Sequence, residues 1–262
     1  MAGPDPMSWW QRFRALPKDS TPKTLAFALA VALGAAIVVS IATVTLRPLQ
    51  KVNLERERQA RIVAMVSRAI GGTGTLTAYM VDLETGRLAR DMDPVTFDAE
   101  AAAKNPETSI AIPQAADIAG LGRRAKHAAV FVRFEGEKPA LLVLPVYGQG
   151  YQSTLWGYLA LKGDGNTVAG LSFYKQGETP GLGARIMEPA WQALWPGKRL
   201  ADETGTLRVQ VTKGSAKGPH EVDGITGATR TNNGVTSLLR FWLGDFGFGP
   251  FLKRLKSGEI RP

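Results

Sequence analysis

Seven residues near the C-terminal end, Asp223-Gly224-Ile225-Thr226-Gly227-Ala228-Thr229, combine the residue types that can hold a phosphate group. Gly224 and Gly227 admit positive φ and let a ligand come close to the backbone. The hydroxyl of Thr229 follows directly, and apolar residues at Val235, Leu238, Leu239, Trp242 and Leu243 then repeat with the spacing of one helix face. A small-residue turn that opens onto a helix presents free backbone N–H groups, and the helix dipole adds to their pull on an anion. The same pattern also suits a purely structural role, in which Thr229 or Thr231 is the N-cap of a helix leaving a glycine-rich turn.

A second segment, Gly177-Glu178-Thr179-Pro180-Gly181-Leu182-Gly183-Ala184-Arg185, lies between a strand-like and a helix-like run. Pro180 fixes φ, while Gly181 and Gly183 allow tight backbone approach, so this loop could wall a flat ligand or serve as a plain turn. Leu182 and Trp156 have the character to pack on an aromatic ring, a character shared by ordinary core residues. Nucleotide fingerprints are not met. There is no Walker A sequence, and Gly120-Leu121-Gly122-Arg123-Arg124-Ala125, which formally fits the dinucleotide pattern, is preceded by a stretch containing Pro113 and no β-run. The chain is therefore expected to bind no NADH itself.

Composition narrows the chemistry further. With no cysteine, the chain excludes thiolate-held iron–sulfur clusters, disulfides and thiol catalysis. The only histidines, His127 and His220, have no metal-ligand spacing. The formal charge of +9 is spread without an aromatic-basic stripe, which argues against nucleic acid and for anionic lipid head groups beside a membrane segment.

That segment is 25–46, 22 residues without a charged side chain, long enough to cross a bilayer as a helix. A cleavable signal peptide is the competing reading, since Ser40-Ile41-Ala42 is a small-x-small site, but the apolar run continues past it through Leu46. Orientation is open from charge alone: Arg12, Arg14, Lys18 and Lys23 precede the span, and Arg47, Lys51, Arg56, Arg58 and Arg61 follow it. From Pro48 to about Ile70 a charged helix is expected, with Pro48 at its start, then a break at Gly71-Gly72-Thr73-Gly74. Strand-like runs follow at 76–83, 128–134, 140–146, 168–174 and 207–212, with helical stretches at 185–194 and 231–243. Mixing without strict βαβ alternation predicts one α+β domain. The expected organisation is a short cytoplasmic tail at 1–24, a transmembrane helix at 25–46 and a mixed α/β domain at 47–262.

The run ending at Thr229 resembles the flavinylation motif Asp-Gly-x-Ser/Thr-Gly-Ala-Thr. Further matches are Leu46-Arg47-Pro48-Leu49-Gln50-Lys51, Leu155-Trp156-Gly157-Tyr158-Leu159-Ala160-Leu161, the Glu178-Thr179-Pro180-Gly181-Leu182-Gly183 loop, Phe241-Trp242-Leu243-Gly244-Asp245, and Gly247-Phe248-Gly249-Pro250-Phe251-Leu252. Together these resemble the covalent-FMN subunit family of the sodium-translocating NADH:quinone oxidoreductase. The loop and the flavinylation motif also occur in the sister flavin subunit of the Rnf ferredoxin:NAD complex, whereas the Arg-Pro-Leu-Gln-Lys and Gly-Phe-Gly-Pro-Phe elements favour the quinone reductase. The resemblance implies one transmembrane helix in the bacterial inner membrane and an extracytoplasmic, periplasmic FMN-binding domain. It implies FMN joined to Thr229 by a phosphoester that a separate flavin transferase makes from FAD. It also implies electron transfer between other subunits of the complex, with NADH oxidised and quinone reduced elsewhere and sodium movement driven by that transfer. Cofactor contacts are expected from Glu178, Thr179, Gly181, Leu182 and Gly183 beside the flavin, from Asp223, Gly224, Thr226, Gly227 and Ala228 around the phosphate, and from Trp156 and Lys213. A membrane-anchored flavin sensor and an assembly subunit with a vestigial motif are the other readings; the short N-terminal tail disfavours the first and the intact Thr229 the second.

Overall fold

The computed structural model describes residues 13, 17, 20–70, 76–94 and 96–260, with backbone alone over 47–70. The Gly71-Gly72-Thr73-Gly74 break and most of the expected N-terminal tail lie outside the described residues. The apolar stretch is helical. It forms the first part of helix α1, Thr21–Ile70, and the most apolar 18-residue stretch within Thr21–Leu46 has a mean hydropathy of 2.6. Leu25, Phe27, Val38 and Val44 are each more than 60% exposed. Apolar surface of this extent is favoured in a bilayer and disfavoured in water, so α1 fits a single-pass membrane anchor. The helix runs on through Pro48, where the sequence suggested a new start. Proline removes one intrahelical hydrogen bond, and the helix-forming residues on both sides carry the helix across it.

The chain divides between Glu57 and Arg58 into two compact units, and all the strands belong to the second. Its centre is a five-stranded antiparallel sheet in the order β1-β4-β5-β6-β7, made of β1 Thr77–Asp82, β4 His127–Glu135, β5 Lys138–Gln149, β6 Thr154–Lys162 and β7 Val168–Lys175. The short strands β2, Ser109–Ala111, and β3, Arg123–Ala125, form a separate antiparallel pair. After the sheet come a 3-10 turn at Gly183–Met187, helix α3 at Pro189–Gln192, the two-residue parallel pair β8 Gln210–Val211 and β9 Glu221–Val222, then helices α4, Thr229–Leu243, and α5, Gly249–Lys256. Helix α2, Ala99–Lys104, precedes β2 and is capped by the Asp98 carboxylate. This is the expected arrangement of one apolar helix and one mixed domain.

The two faces of β5 explain its unbroken apolar run. Leu142, Leu144 and Val146 enter the main core with Val235, Leu238, Leu239 and Trp242 of α4. Leu141 and Val143 join Tyr158, Ala160 and Ala169 on the opposite face. Buried on both sides, the strand shows no polar alternation. Helix α4 lies hard against the end of β5. A Cβ on Gly148 would stand 2.6 Å from the Leu238 Cβ, and one on Gly234 would stand 2.6 Å from the Gln149 carbonyl oxygen. These two glycines set the helix axis close to the strand, and its N-terminus therefore arrives beside the β5–β6 turn. Trp242 completes the junction: its Nε1 donates to the Tyr147 carbonyl at 2.6 Å, and its ring packs 4.7 Å from that of Tyr147, which in turn stacks on Trp156 at 4.4 Å.

Candidate functional site

Three segments distant in sequence meet at the start of α4: the β5–β6 turn, the loop after β7 and the run before the helix. They enclose an open cavity of about 270 Å³ lined by Tyr151, Glu178, Thr179, Leu182, Gly183 and residues 227–231. Of the residues expected from sequence, Glu178, Thr179, Leu182, Gly183, Gly227, Ala228 and Thr229 come together here. Tyr151, Arg230 and Thr231 line the cavity as well and were not foreseen.

The local sequence explains the shape of the run. Ile225 is held on both its backbone groups by the Asn232 side chain, which accepts from its N–H at 3.2 Å and donates to its carbonyl at 3.0 Å. The N–H of Ala228 closes back on the Ile225 carbonyl at 3.1 Å. Gly227 takes φ +79°, and a Cβ there would lie 2.9 Å from Leu182 Cδ2, so the loop after β7 packs directly on the turn. A Cβ on Gly224 would meet the Thr212 carbonyl oxygen at 2.0 Å, which makes glycine obligatory. No side chain caps α4; Ala228 occupies the N-cap position. The first helical N–H groups beside the cavity are thus left without a side-chain acceptor, an arrangement whose unpaired donors and helix dipole suit an anion.

Glu178 joins the three segments. The residue is only 5% exposed, and its carboxylate accepts five hydrogen bonds. Oε2 receives the Tyr151 N–H at 3.1 Å and the Thr231 hydroxyl at 2.6 Å. Oε1 receives the N–H groups of Gln152 and Ser153 at 3.0 and 3.1 Å and the Ser153 hydroxyl at 3.1 Å. Burial pushes this carboxyl up, but the bonds from Thr231, Gln152, Tyr151 and Ser153 together prevail and hold it below the ordinary glutamate range. Gly183 fits beside it without a side chain, since a Cβ would stand 2.5 Å from Thr231 Oγ1.

The remaining expected contacts sit outside the cavity lining. Asp223 acts within the protein: its carboxylate accepts the Ala216 N–H at 2.6 Å and its carbonyl accepts Trp191 Nε1 at 2.9 Å. Gly224 shapes the turn, Gly181 takes φ +74° with open space around it, and Thr226 is exposed. Trp156 packs between Tyr147 and the Lys175 ammonium, 5.4 Å from its ring centre, and Lys213 is exposed. The Gly120–Gly122 pattern opens onto strand β3, and the N–H groups of Leu121 and Gly122 are taken by the Asp117 carboxylate at 2.8 and 2.7 Å. It is no dinucleotide cradle. The two histidines lie elsewhere, His220 against the Arg199 carbonyl and His127 beside Asp82.

Comparison with known proteins identifies the relatives of this arrangement. The FMN-binding domain family matches residues 150–244, an interval that contains all three segments of the cavity. A Pseudomonas aeruginosa protein, named as the C subunit of the Na(+)-translocating NADH-quinone reductase, is 44% identical over 257 residues, covering 92% of this chain and 98% of the relative. The chain belongs to that family of reductase subunits. A Vibrio anguillarum protein of the same name is 39% identical over 250 residues, with 92% and 98% covered. The crystal structure of Shewanella oneidensis NqrC superposes with a TM-score of 0.70 at 35% identity, over 78% of this chain and 99% of that one.

Sequence signals for the unforeseen residues existed but were weak. Thr231 reads from sequence as a candidate N-cap, and neither Asn232 nor Tyr151 belongs to a motif. Arg230 lies 5.0 Å from the Tyr151 ring, a contact across 79 residues of chain that no local pattern carries.

Proposed function

We propose that this chain is the membrane-anchored electron carrier of a sodium-translocating NADH–quinone reductase, and that it holds FMN through a phosphoester on Thr229. One observation carries the attachment point. Among the three threonines of the 223–231 run only Thr229 is both exposed and on the cavity, with no hydrogen-bond partner for its hydroxyl among the described residues. Thr231 is 2% exposed and its hydroxyl is committed to Glu178. Thr226 is exposed but does not line the cavity.

The residues present fit the group. The uncapped start of α4 suits a phosphate, and Arg230 beside it adds positive charge. The cavity lies just under the roughly 300–1,000 Å³ of sites that enclose a ligand, so it can grip part of a flavin while leaving an edge open. A shallow site holds a changing charge state poorly, and a covalent tether removes that dependence. FMN supplies one- and two-electron redox chemistry when bound; the chain anchors it, orients it and sets its electrostatic surroundings. Attachment belongs to a separate flavin transferase: the Thr229 oxygen–phosphorus bond forms as the pyrophosphate of FAD breaks and AMP leaves. NADH oxidation and quinone reduction fall to other subunits. The names of the relatives support the quinone reductase over an Rnf-type complex or a sensory module. The test is denaturing electrophoresis of the full chain made with and without the transferase. Flavin fluorescence that stays with the band only when the transferase is present supports the reading; loss of all fluorescence on denaturation overturns the covalent link.

The domain after the span belongs on the periplasmic side. Protease added to spheroplasts should digest it, and digestion confined to inverted vesicles would reverse the orientation.

Leu182 is 43% exposed, packs on Gly227 and lines the cavity, which supports a contact with the flavin. Leu182→Glu should lower the midpoint potential, because a negative charge opposes the anionic reduced forms. An interaction of about 1 kcal/mol spread over two electrons amounts to a shift on the order of 20 mV. A folded, flavin-bearing variant with unchanged spectrum and potential removes the loop from the flavin's surroundings.

A further inference from the structure

A second cleft lies on the outer edge of the sheet, built from elements that the flavin cavity does not use. One part, about 350 Å³, is lined by Ala78, Tyr79, Met80, Leu88, Ala89, Arg90, Met92 and Pro94. The other, about 270 Å³, is lined by Arg87, Leu88, Arg90, Arg254, Glu259 and Ile260. Leu88 and Arg90 belong to both, so the two parts form one groove with an apolar end and a basic end.

Strand β1 is an edge strand, and among the described residues its outward backbone groups are only half covered. The segment after its turn pairs back on it: Asp82 N–H donates to the Arg87 carbonyl at 2.9 Å, and the Met80 carbonyl accepts the Ala89 N–H at 2.8 Å. With the two-residue period of a strand, the next outward-facing position is Ala78. There the covering segment has turned away into 90–94, and Ala78 faces the groove. An unpaired strand edge flanked by an apolar pocket is a template for another strand. Arg254 is already committed, donating to the Thr85 carbonyl at 2.8 Å and paired with Glu259. Arg87 and Arg90 are exposed and have no acidic partner among the described residues.

We propose that this groove binds an extended, acidic segment of another polypeptide, which adds to β1 beside Ala78. An apolar side chain of that segment fills the space between Tyr79, Leu88 and Met92, and its carboxylates meet Arg87 and Arg90. A polypeptide fits better than a lipid because a strand supplies donors and acceptors for the Ala78 backbone, whereas an acyl chain leaves those groups unpaired. The inference stands apart from the flavin reading, since none of these residues touches the flavin cavity.

Photo-crosslinking in membranes containing the full chain and its complex tests it. Met92→p-benzoylphenylalanine, and separately Arg90→p-benzoylphenylalanine at an exposed position, should each yield on irradiation an adduct with another polypeptide. Mass spectrometry should map that adduct to a stretch rich in Asp or Glu. With the Met92 probe, the added pair Arg87→Glu and Arg90→Glu should reduce the adduct at least tenfold while an unchanged melting temperature reports an intact fold. Adducts to lipid, adducts confined to this chain, no adduct above that of a probe at Glu203, or an adduct indifferent to the charge reversal each overturn the proposal.

Discussion

If FMN is joined to Thr229 as proposed, Thr229→Ala should remove the flavin from the denatured chain completely and leave the fold in place. The hydroxyl supplies the only atom the phosphoester needs, so the effect on attachment is all or none. The effect on stability is small, because the Thr229 side chain is exposed, has no hydrogen-bond partner among the described residues, and stands at the first position of α4, where alanine is an excellent helix former. A change within about 0.5 kcal/mol is expected for such a site. Mass spectrometry of residues 223–240 from a host with the transferase should show the mass of FMN less water on the parent chain and none on the variant. Thr229→Ser, which keeps the hydroxyl, should restore part of the modification. An unmodified parent peptide in an active complex, or flavin retained on the alanine variant, refutes the attachment at this residue.

Glu178→Gln has the largest expected effect on the protein itself. Five donors converge on the carboxylate, three of them backbone N–H groups. An amide presents N–H groups in place of one oxygen, so either Tyr151 N–H and the Thr231 hydroxyl or the Gln152 and Ser153 donors lose their acceptor. Hydrogen bonds to a charged group contribute about 1.5–3 kcal/mol each, and a buried donor left unmade costs its desolvation. A loss of about 3 kcal/mol follows, equivalent to roughly 6–12 °C in melting temperature for a domain of this size. The pH dependence has a definite sign. The folded-state pKa of Glu178 lies below its unfolded value, so the stabilisation is fully present above the unfolded pKa and is lost as pH falls through the folded one. The gap between parent and variant should therefore be widest near neutral pH and narrow toward pH 3. A gap that stays constant across that range would show that the charge of Glu178 does not stabilise the fold. Because Glu178 ties the helix start to both loops, flavin attachment should also fall in the variant even where it remains folded.

The apolar anchor, the α+β character and helix α4 were legible in the sequence because each rests on a local pattern: an uncharged run of membrane length, strand-like runs between turns, and a 3.6-residue repeat. Strand β6 was visible only as the motif beginning Leu155-Trp156-Gly157. Strand β8 falls inside the strand-like run at 207–212, but its two-residue partner β9 and helix α5 were missed because they depend on neighbours more than on propensity. Pro48 misled for a related reason: proline marks a helix start more often than an interior, and here the helix continues through it.

At the site, the sequence alone determined which residues have unusual chemistry: the small-residue turn before Thr229 and the glycine-rich loop after Glu178. Their side chains and backbone freedom are properties of residue type, readable without a fold. Only the tertiary structure decided what each of them touches. It turned Glu178 from a loop residue into the buried acceptor for the β5–β6 turn and for Thr231, and it separated an exposed Thr229 from a hydrogen-bonded Thr231 two residues away. It also placed Trp156 in an aromatic stack and Asp223 in an internal tether, outside the cavity lining. The reason is that the partners of Glu178 come from segments 25 to 53 residues away, from Ser153 to Thr231, and close approach of α4 to β5 brings those segments together.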